Sequence, residues 1–79
     1  MITTTHIEYV RDDAFRYTVS IVRSPLFPET PRIYLPDEDC HDGNDGENEG
    51  LRLPEAEVEK ILAEWSEKVG ATFARSYDI

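Results

Sequence analysis

An alternation of side chains near the start of the chain limits the possible folds more than any other feature. Phe15, Tyr17, Val19 and Ile21 occupy every second position, and Arg16, Thr18, Ser20 and Val22 lie between them. A period of two places successive side chains on opposite faces of a β-strand. Residues 15–22 are therefore predicted to form a strand with one buried face, which requires a sheet around it.

The preceding residues supply a partner for this strand. Residues 3–10 are mostly β-branched or aromatic, with Ile7 and Tyr9 on one face. The short polar segment 11–14 contains two aspartates, a residue type that tolerates turn conformations. The sequence thus predicts a β-hairpin, with the second strand following the turn at once.

Three prolines interrupt the next part of the chain. Pro25, Pro28 and Pro31 each lack a backbone N–H group and fix φ, so residues 24–31 are predicted to be an extended connection that cannot be a central strand. A third, short strand is predicted over residues 32–35, with Ile33 and Leu35 directed inward and Pro36 ending it.

The C-terminal half contains one amphipathic helix. Pro54 suits the first helical position, and Glu55 and Glu57 in the first turn oppose the helix dipole favourably. Gly70 is a natural C-terminal stop. Between these limits the apolar residues recur at helical spacing and form one stripe: Val58, Ile61, Leu62, Trp65 and Val69.

Two further segments each have two interpretations. Leu51 and Leu53 alternate with a polar residue, and they form either a few residues of strand or an apolar plug beside the helix start. Residues 71–77, which include Phe73 and Tyr77, form either one more strand or an irregular terminal tail.

These elements predict a single α+β domain over residues 1–79: a small antiparallel sheet of three or four strands with one helix packed across one face. A chain of 79 residues is near the lower end of what folds alone. The predicted core has thirteen side chains: Ile7, Tyr9, Phe15, Tyr17, Val19, Ile21, Ile33, Leu35, Val58, Ile61, Leu62, Trp65 and Val69.

The charge of the chain is concentrated in one region. Between Asp37 and Glu67 there are twelve acids and two bases, which gives −10, whereas the five acids and six bases elsewhere give +1 and account for the net charge of −9. Seven of these acids fall within residues 37–49, and we interpret residues 37–50 as a mobile acidic loop within the domain. The expected partner is therefore basic.

Catalysis and cofactor binding find little support in the sequence. Cys40 and His41 are the only thiol–imidazole neighbours, but adjacent residues in a polar loop seldom hold a preorganised geometry. The loop also fails the EF-hand pattern, because His41 and Asp42 stand at its fifth and sixth positions and Asn48 at its twelfth. We expect no enzyme, no catalytic residue, no metal site and no cofactor.

The remaining composition indicates the compartment. Cys40 is the only cysteine, so no internal disulfide forms and a reducing environment suits the chain. The first twenty residues contain no apolar signal segment, and no stretch approaches the length that spans a membrane. We therefore expect a protein of the host-cell cytoplasm that does not bind membranes.

The acidic balance repels nucleic-acid phosphates, so direct DNA or RNA binding is not expected. Carboxylates on a helix and loop can instead imitate the charge density of DNA and fill a groove that binds phosphates. The alternative is a face that only keeps the protein soluble. The candidate partner-binding residues are Asp37, Glu38, Asp39, Asp42, Asp45, Glu47, Glu49, Glu57, Glu64 and Glu67.

The chain resembles the small acidic inhibitors of phages and mobile elements. The resemblance rests on the run DEDCHDGNDGENE, the glutamates that follow it, the chain length and the order of strands and helix. That group includes anti-CRISPR and anti-restriction proteins. The resemblance implies a non-enzymatic inhibitor, a DNA mimic that occupies the nucleic-acid-binding surface of a bacterial defence complex.

A second hypothesis comes from a different functional class. A small sheet-and-helix protein can also serve as an assembly module that binds a partner or itself through a sheet edge or an apolar surface. The chain is then a monomer or a weak homodimer. Apolar candidates outside the predicted core are Val10, Val22, Leu26, Phe27 and Tyr34.

Overall fold

A computed structural model describes residues 1–37 and 50–78. Five strands and one helix follow in the order β1 (Thr3–Arg11), β2 (Arg16–Ser24), β3 (Phe27–Tyr34), β4 (Leu51–Arg52), α1 (Glu55–Val69) and β5 (Ala71–Asp78). The predicted α+β class and the antiparallel sheet are confirmed. The predicted number of three or four strands is wrong, because the sheet has five.

The strands form one sheet in the order β4-β3-β2-β1-β5, and each neighbouring pair is antiparallel. The helix connects β4 at one edge to β5 at the other, so the chain crosses the sheet and covers one face on the way. We call this side the helix-covered face and the opposite side the open face.

The predicted hairpin is present. Tyr9 pairs with Tyr17, and the turn is closed by a hydrogen bond from the backbone N–H of Arg11 to the carbonyl of Phe15 (2.8 Å). The Asp13 carboxylate accepts a further bond from the Phe15 N–H at 3.3 Å. An aspartate in the turn thus stabilises the reversal, as its residue type predicts.

The predicted connection over residues 24–31 is in part a strand, since β3 begins at Phe27 and includes Pro28 and Pro31. The ladder with β2 is regular only from Arg32 to Tyr34 and shifts register before it. The prolines therefore lie in the irregular part of a strand near the sheet edge, where a missing N–H group costs no ladder hydrogen bond.

Both open predictions resolve as strands. Leu51 and Arg52 form the short edge strand β4, while Leu53 is half-buried against the core. Residues 71–78 form β5, which pairs with β1 along its length. Pairing with β1 orders this tail, because its own apolar pattern is too weak to indicate a strand.

The helix begins one residue later than predicted, with Pro54 at the N-cap, and ends at Val69. Gly70 adopts the left-handed conformation (φ 74°), and its N–H bonds to the carbonyls of Ser66 and Glu67. This conformation lets the chain leave the helix and enter β5 at the next residue, which explains why glycine is the suitable residue here.

The core lies between the helix and the sheet. Trp65 is 7 % exposed and makes edge-to-face contacts with Tyr9 and Tyr17, with ring centroids 5.0 and 5.4 Å apart. Of the thirteen predicted core side chains nine are buried, and Phe15, Leu35, Ile61 and Leu62 are partly buried against them. Among the described residues, the prediction missed four buried ones: Ser20, Pro31, Pro36 and Ala71.

Candidate interaction surface

The helix presents its acids on the side away from the core. Glu57, Glu64 and Glu67 are exposed, whereas Val58 and Trp65 are buried. Glu64 follows Glu57 by seven positions, which is about two helical turns, so both side chains project in nearly the same direction. We call Glu57, Glu64, Glu67 and Asp37 together the acidic helix face.

Asp37 is held near the helix because the residue before it, Pro36, accepts a hydrogen bond from the helix. The indole Nε1 of Trp65 donates to the carbonyl oxygen of Pro36 at 2.8 Å, and Pro36 is buried. Asp37 itself is exposed and lines a small cleft with Trp65, Lys68 and Val69. The start of the acidic run is thereby held beside the C-terminal half of the helix.

The acidic helix face carries an excess of negative charge that neighbouring side chains do not neutralise. The helix contains five glutamates and two lysines, which gives −3. Within the described residues only Glu55 of the five forms an ion pair, with Arg23 at 2.7 Å. The other four glutamates point into solvent, where Lys60 and Lys68 moderate their repulsion at helical spacing.

Six predicted partner-binding residues and the Cys40–His41 pair lie outside the described residues. The six acids are Glu38, Asp39, Asp42, Asp45, Glu47 and Glu49. The predicted mobile loop over residues 37–50 also falls almost entirely in this part. Four of the ten predicted partner-binding residues are therefore described, and all four are exposed, three on the helix and Asp37 beside its C-terminal half.

The open face contains polar contacts that the sequence analysis did not find. The Glu8 carboxylate accepts from Arg75 at 2.9 Å and from Arg16 at 3.4 Å. These hydrogen bonds and positive charges, Arg75 first, hold the pKa of Glu8 below its ordinary value. Only the cross-strand register reveals this cluster, because the three residues are far apart in the chain.

A histidine and a serine also meet on the open face. His6 Nδ1 lies 3.1 Å from Ser20 Oγ, and the His6 ring packs against Tyr77 with centroids 5.4 Å apart. Ser20 is fully buried, so its hydroxyl lies out of reach of any substrate on this surface. The contact satisfies a buried polar group.

The predicted apolar candidates divide into two sets. Val10, Val22 and Tyr34 are half-buried among their neighbours on the open face. Leu26 is 82 % exposed and Phe27 is 47 % exposed, and the Arg52 guanidinium lies 3.8 Å from the Phe27 ring centroid. The exposed apolar surface of this group is therefore confined to the β2–β3 connection and the first residue of β3.

Within residues 1–37 and 50–78, no three His, Cys, Asp or Glu side chains lie close enough together to hold a metal ion. No helix in this described part has the length and apolarity needed to cross a bilayer. Comparisons of the chain with protein-family models, with curated proteins and with solved structures each give no match.

Proposed function

We propose that this chain is a non-enzymatic binding protein whose acidic helix face occupies a basic, nucleic-acid-binding surface on another protein. The supporting observation is the Trp65–Pro36 hydrogen bond, which holds Asp37 beside the C-terminal half of the helix that carries the exposed glutamates. The acids are thus presented on a rigid element. Rigid presentation favours binding, because fewer side-chain and loop motions are lost when the partner docks.

The spacing of these acids supports mimicry of a nucleic-acid strand. Glu57 and Glu64 are separated by about 10.5 Å along the helix axis, from a rise of about 1.5 Å per residue. Phosphates of one DNA strand advance by about 3.4 Å along the duplex axis, so three steps give nearly the same distance. A groove lined with Lys and Arg for phosphates therefore also suits this face.

The consequence for the partner is inhibition by occlusion. A protein that fills a phosphate-binding groove prevents nucleic acid from entering it, and the complementary charges accelerate association. The resemblance to small acidic phage inhibitors makes the nucleic-acid-binding subunit of a bacterial defence complex the proposed target. The encounter takes place in the host cytoplasm.

The test compares two double variants with the same net charge. Glu57→Gln with Glu64→Gln neutralises the acidic helix face, and Asp12→Asn with Glu29→Gln neutralises two exposed acids elsewhere. Each pair changes the net charge from −9 to −7, because two acids are removed. The immobilised variants are exposed to the heparin-binding fraction of a bacterial lysate, with duplex DNA as competitor.

We expect the wild-type chain and the Asp12/Glu29 variant to retain the same basic protein, and the Glu57/Glu64 variant to lose it. Duplex DNA and added salt should both displace the retained protein. Equal retention by the two variants, or retention that DNA does not affect, would contradict the proposed function. Circular dichroism confirms that each variant is folded before capture.

A further inference from the structure

The outer edge of β5 is a long strand edge without a neighbour among residues 1–37 and 50–78. In the sheet order β5 pairs only with β1, and all residues from Thr72 to Asp78 are exposed. An edge of this kind presents unpaired backbone N–H and C=O groups to any strand that approaches.

Exposed aromatic side chains lie on both faces beside this edge. Phe73 is 61 % exposed and packs edge-to-face with Tyr9 on the helix-covered face. Tyr77 is 39 % exposed and packs against His6 on the open face. A strand added to β5 would therefore cover apolar surface above and below the sheet, in addition to pairing the backbone.

The opposite edge of the sheet cannot accept a strand in the same way. Its outermost strand, β4, has only two residues, and Pro28 and Pro31 remove N–H groups from β3. Short edge strands and prolines both prevent edge-to-edge pairing. Because only one edge of the sheet formed by the described residues is open, pairing between copies stops at two chains and does not continue into a fibre.

Charge also favours a second copy at this edge. Strand β5 carries one Arg75 and one Asp78, so it has no net charge, whereas the region from Asp37 to Glu67 carries −10. Asp78 accepts from the Thr5 hydroxyl at 2.7 Å, and Arg75 binds Glu8. Two copies thus approach through neutral strands, where self-repulsion is smallest.

We propose that this chain forms a homodimer in which the β5 strands of two copies pair antiparallel across a two-fold axis. The two five-stranded sheets then form one continuous sheet of ten strands, with both helices on the same side. Ala74 has no partner in β1, which marks a bulge that divides the edge into two short segments. The limited pairing gives a dimer with a micromolar to millimolar Kd.

The first test places the same substitution on two exposed alanines. Ala74→Lys puts a lysine on β5, and Ala63→Lys puts one on the helix, so both variants have the same net charge. Sedimentation velocity over a range of concentrations measures the Kd. We expect Ala74→Lys to raise the Kd about tenfold or more, because a lysine on an edge strand opposes pairing with another strand. We expect Ala63→Lys to leave the Kd near wild type.

Three outcomes of this experiment overturn the proposal. The first is that the wild-type chain stays monomeric at millimolar concentration. The second is that Ala74→Lys and Ala63→Lys raise the dimer Kd equally, and the third is that neither variant raises it. The Glu57/Glu64 variant described above should dimerise as the wild type does. Loss of partner capture and loss of dimerisation are therefore separate results.

The second test is disulfide crosslinking in a chain with Cys40→Ser, so that each introduced thiol is the only one. Single cysteines are placed in turn at positions 72–77, and Glu29→Cys on the β3 side is the control. In an antiparallel two-fold pair, only the residue at the axis faces its own copy within disulfide distance. We expect one β5 position to crosslink fastest. The proposal is overturned if no β5 position crosslinks, or if every β5 position crosslinks only at the rate of the Glu29→Cys control.

Discussion

The two faces of the sheet are both partly buried, but different interactions stabilise them. On the helix-covered face, Trp65, Tyr9 and Tyr17 exclude water and pack edge to face. On the open face, Ser20 is fully buried although no element among the described residues covers it. The side chain of His6 contacts Ser20 on this face.

The difference has consequences for how each face responds to its surroundings. Burial of apolar surface is non-directional and depends little on pH or salt near neutrality. The contacts between Glu8, Arg16 and Arg75 are directional and charged, so protonation and screening weaken them. The free energy of unfolding should therefore depend on pH through charged pairs, those of Glu8 on the open face and Arg11–Asp13 at the hairpin turn, and on side-chain volume through the helix-covered face.

The largest expected effect comes from truncating the central side chain of the helix-covered face. Trp65→Ala should lower the free energy of unfolding by about 3–5 kcal/mol, because a large buried aromatic side chain leaves a cavity. A domain this small has little stability to spare, so the variant should be mostly unfolded at 37 °C. Urea denaturation followed by circular dichroism measures the change.

Two other aromatic substitutions show whether burial is the cause. Phe73→Ala removes a side chain that is 61 % exposed, so it should cost far less than Trp65→Ala. Trp65→Phe keeps much of the volume but leaves the buried Pro36 carbonyl without its donor, at a cost of about 1–3 kcal/mol. A Trp65→Ala midpoint close to wild type would contradict the assignment of this face as the main core.

Adjacent residues on β2 allow the two faces to be compared directly. Val19 and Ser20 are both fully buried, and they point to opposite faces of the same strand. Val19→Ala should cost about 2 kcal/mol through lost apolar burial and a cavity. Ser20→Ala should cost about 1 kcal/mol through the lost contact with His6. The measurement is again the urea midpoint, and a larger cost at Ser20 would reverse the proposed ranking.

The smallest effect is expected in the acid range, and it distinguishes charged contacts from apolar ones. Arg75 holds the pKa of Glu8 below its ordinary value of 4.5, and Arg11 lowers the pKa of Asp13 from 3.8 to about 2. Because both values are lower in the folded chain, the unfolded chain binds protons more readily. The stability from these groups is complete above pH 4.5 and declines as the pH falls towards 2.

Matched variants identify the groups responsible for this decline. Glu8→Gln should flatten the curve of melting temperature against pH just below pH 4.5. Asp13→Asn should flatten the same curve between pH 3.8 and about 2. Val19→Ala should lower the curve without changing its slope, because no charge is involved. An unchanged acid slope in both carboxylate variants would show that other acids dominate the pH dependence.

Strands and helices whose hydrophobic pattern repeats over several residues could be predicted from the sequence alone. The alternation at 15–22 and the stripe from Val58 to Val69 predict β2 and the helix, and Gly70 predicts the helix end. These predictions succeed because the period of a pattern follows from local backbone geometry. The same local signals placed three exposed glutamates on the helix side away from the core.

Contacts between residues that are distant in the chain follow from the tertiary structure alone. The prolines of β3 indicate a loop when read locally, yet pairing of Arg32 and Ile33 with both neighbouring strands extends this segment into the sheet. The tail becomes β5 because β1 offers it a free edge. Cross-strand register brings Glu8 to Arg75, and packing of the helix on the sheet brings the Trp65 indole to the Pro36 carbonyl. No local period of the sequence encodes contacts between residues so far apart in the chain.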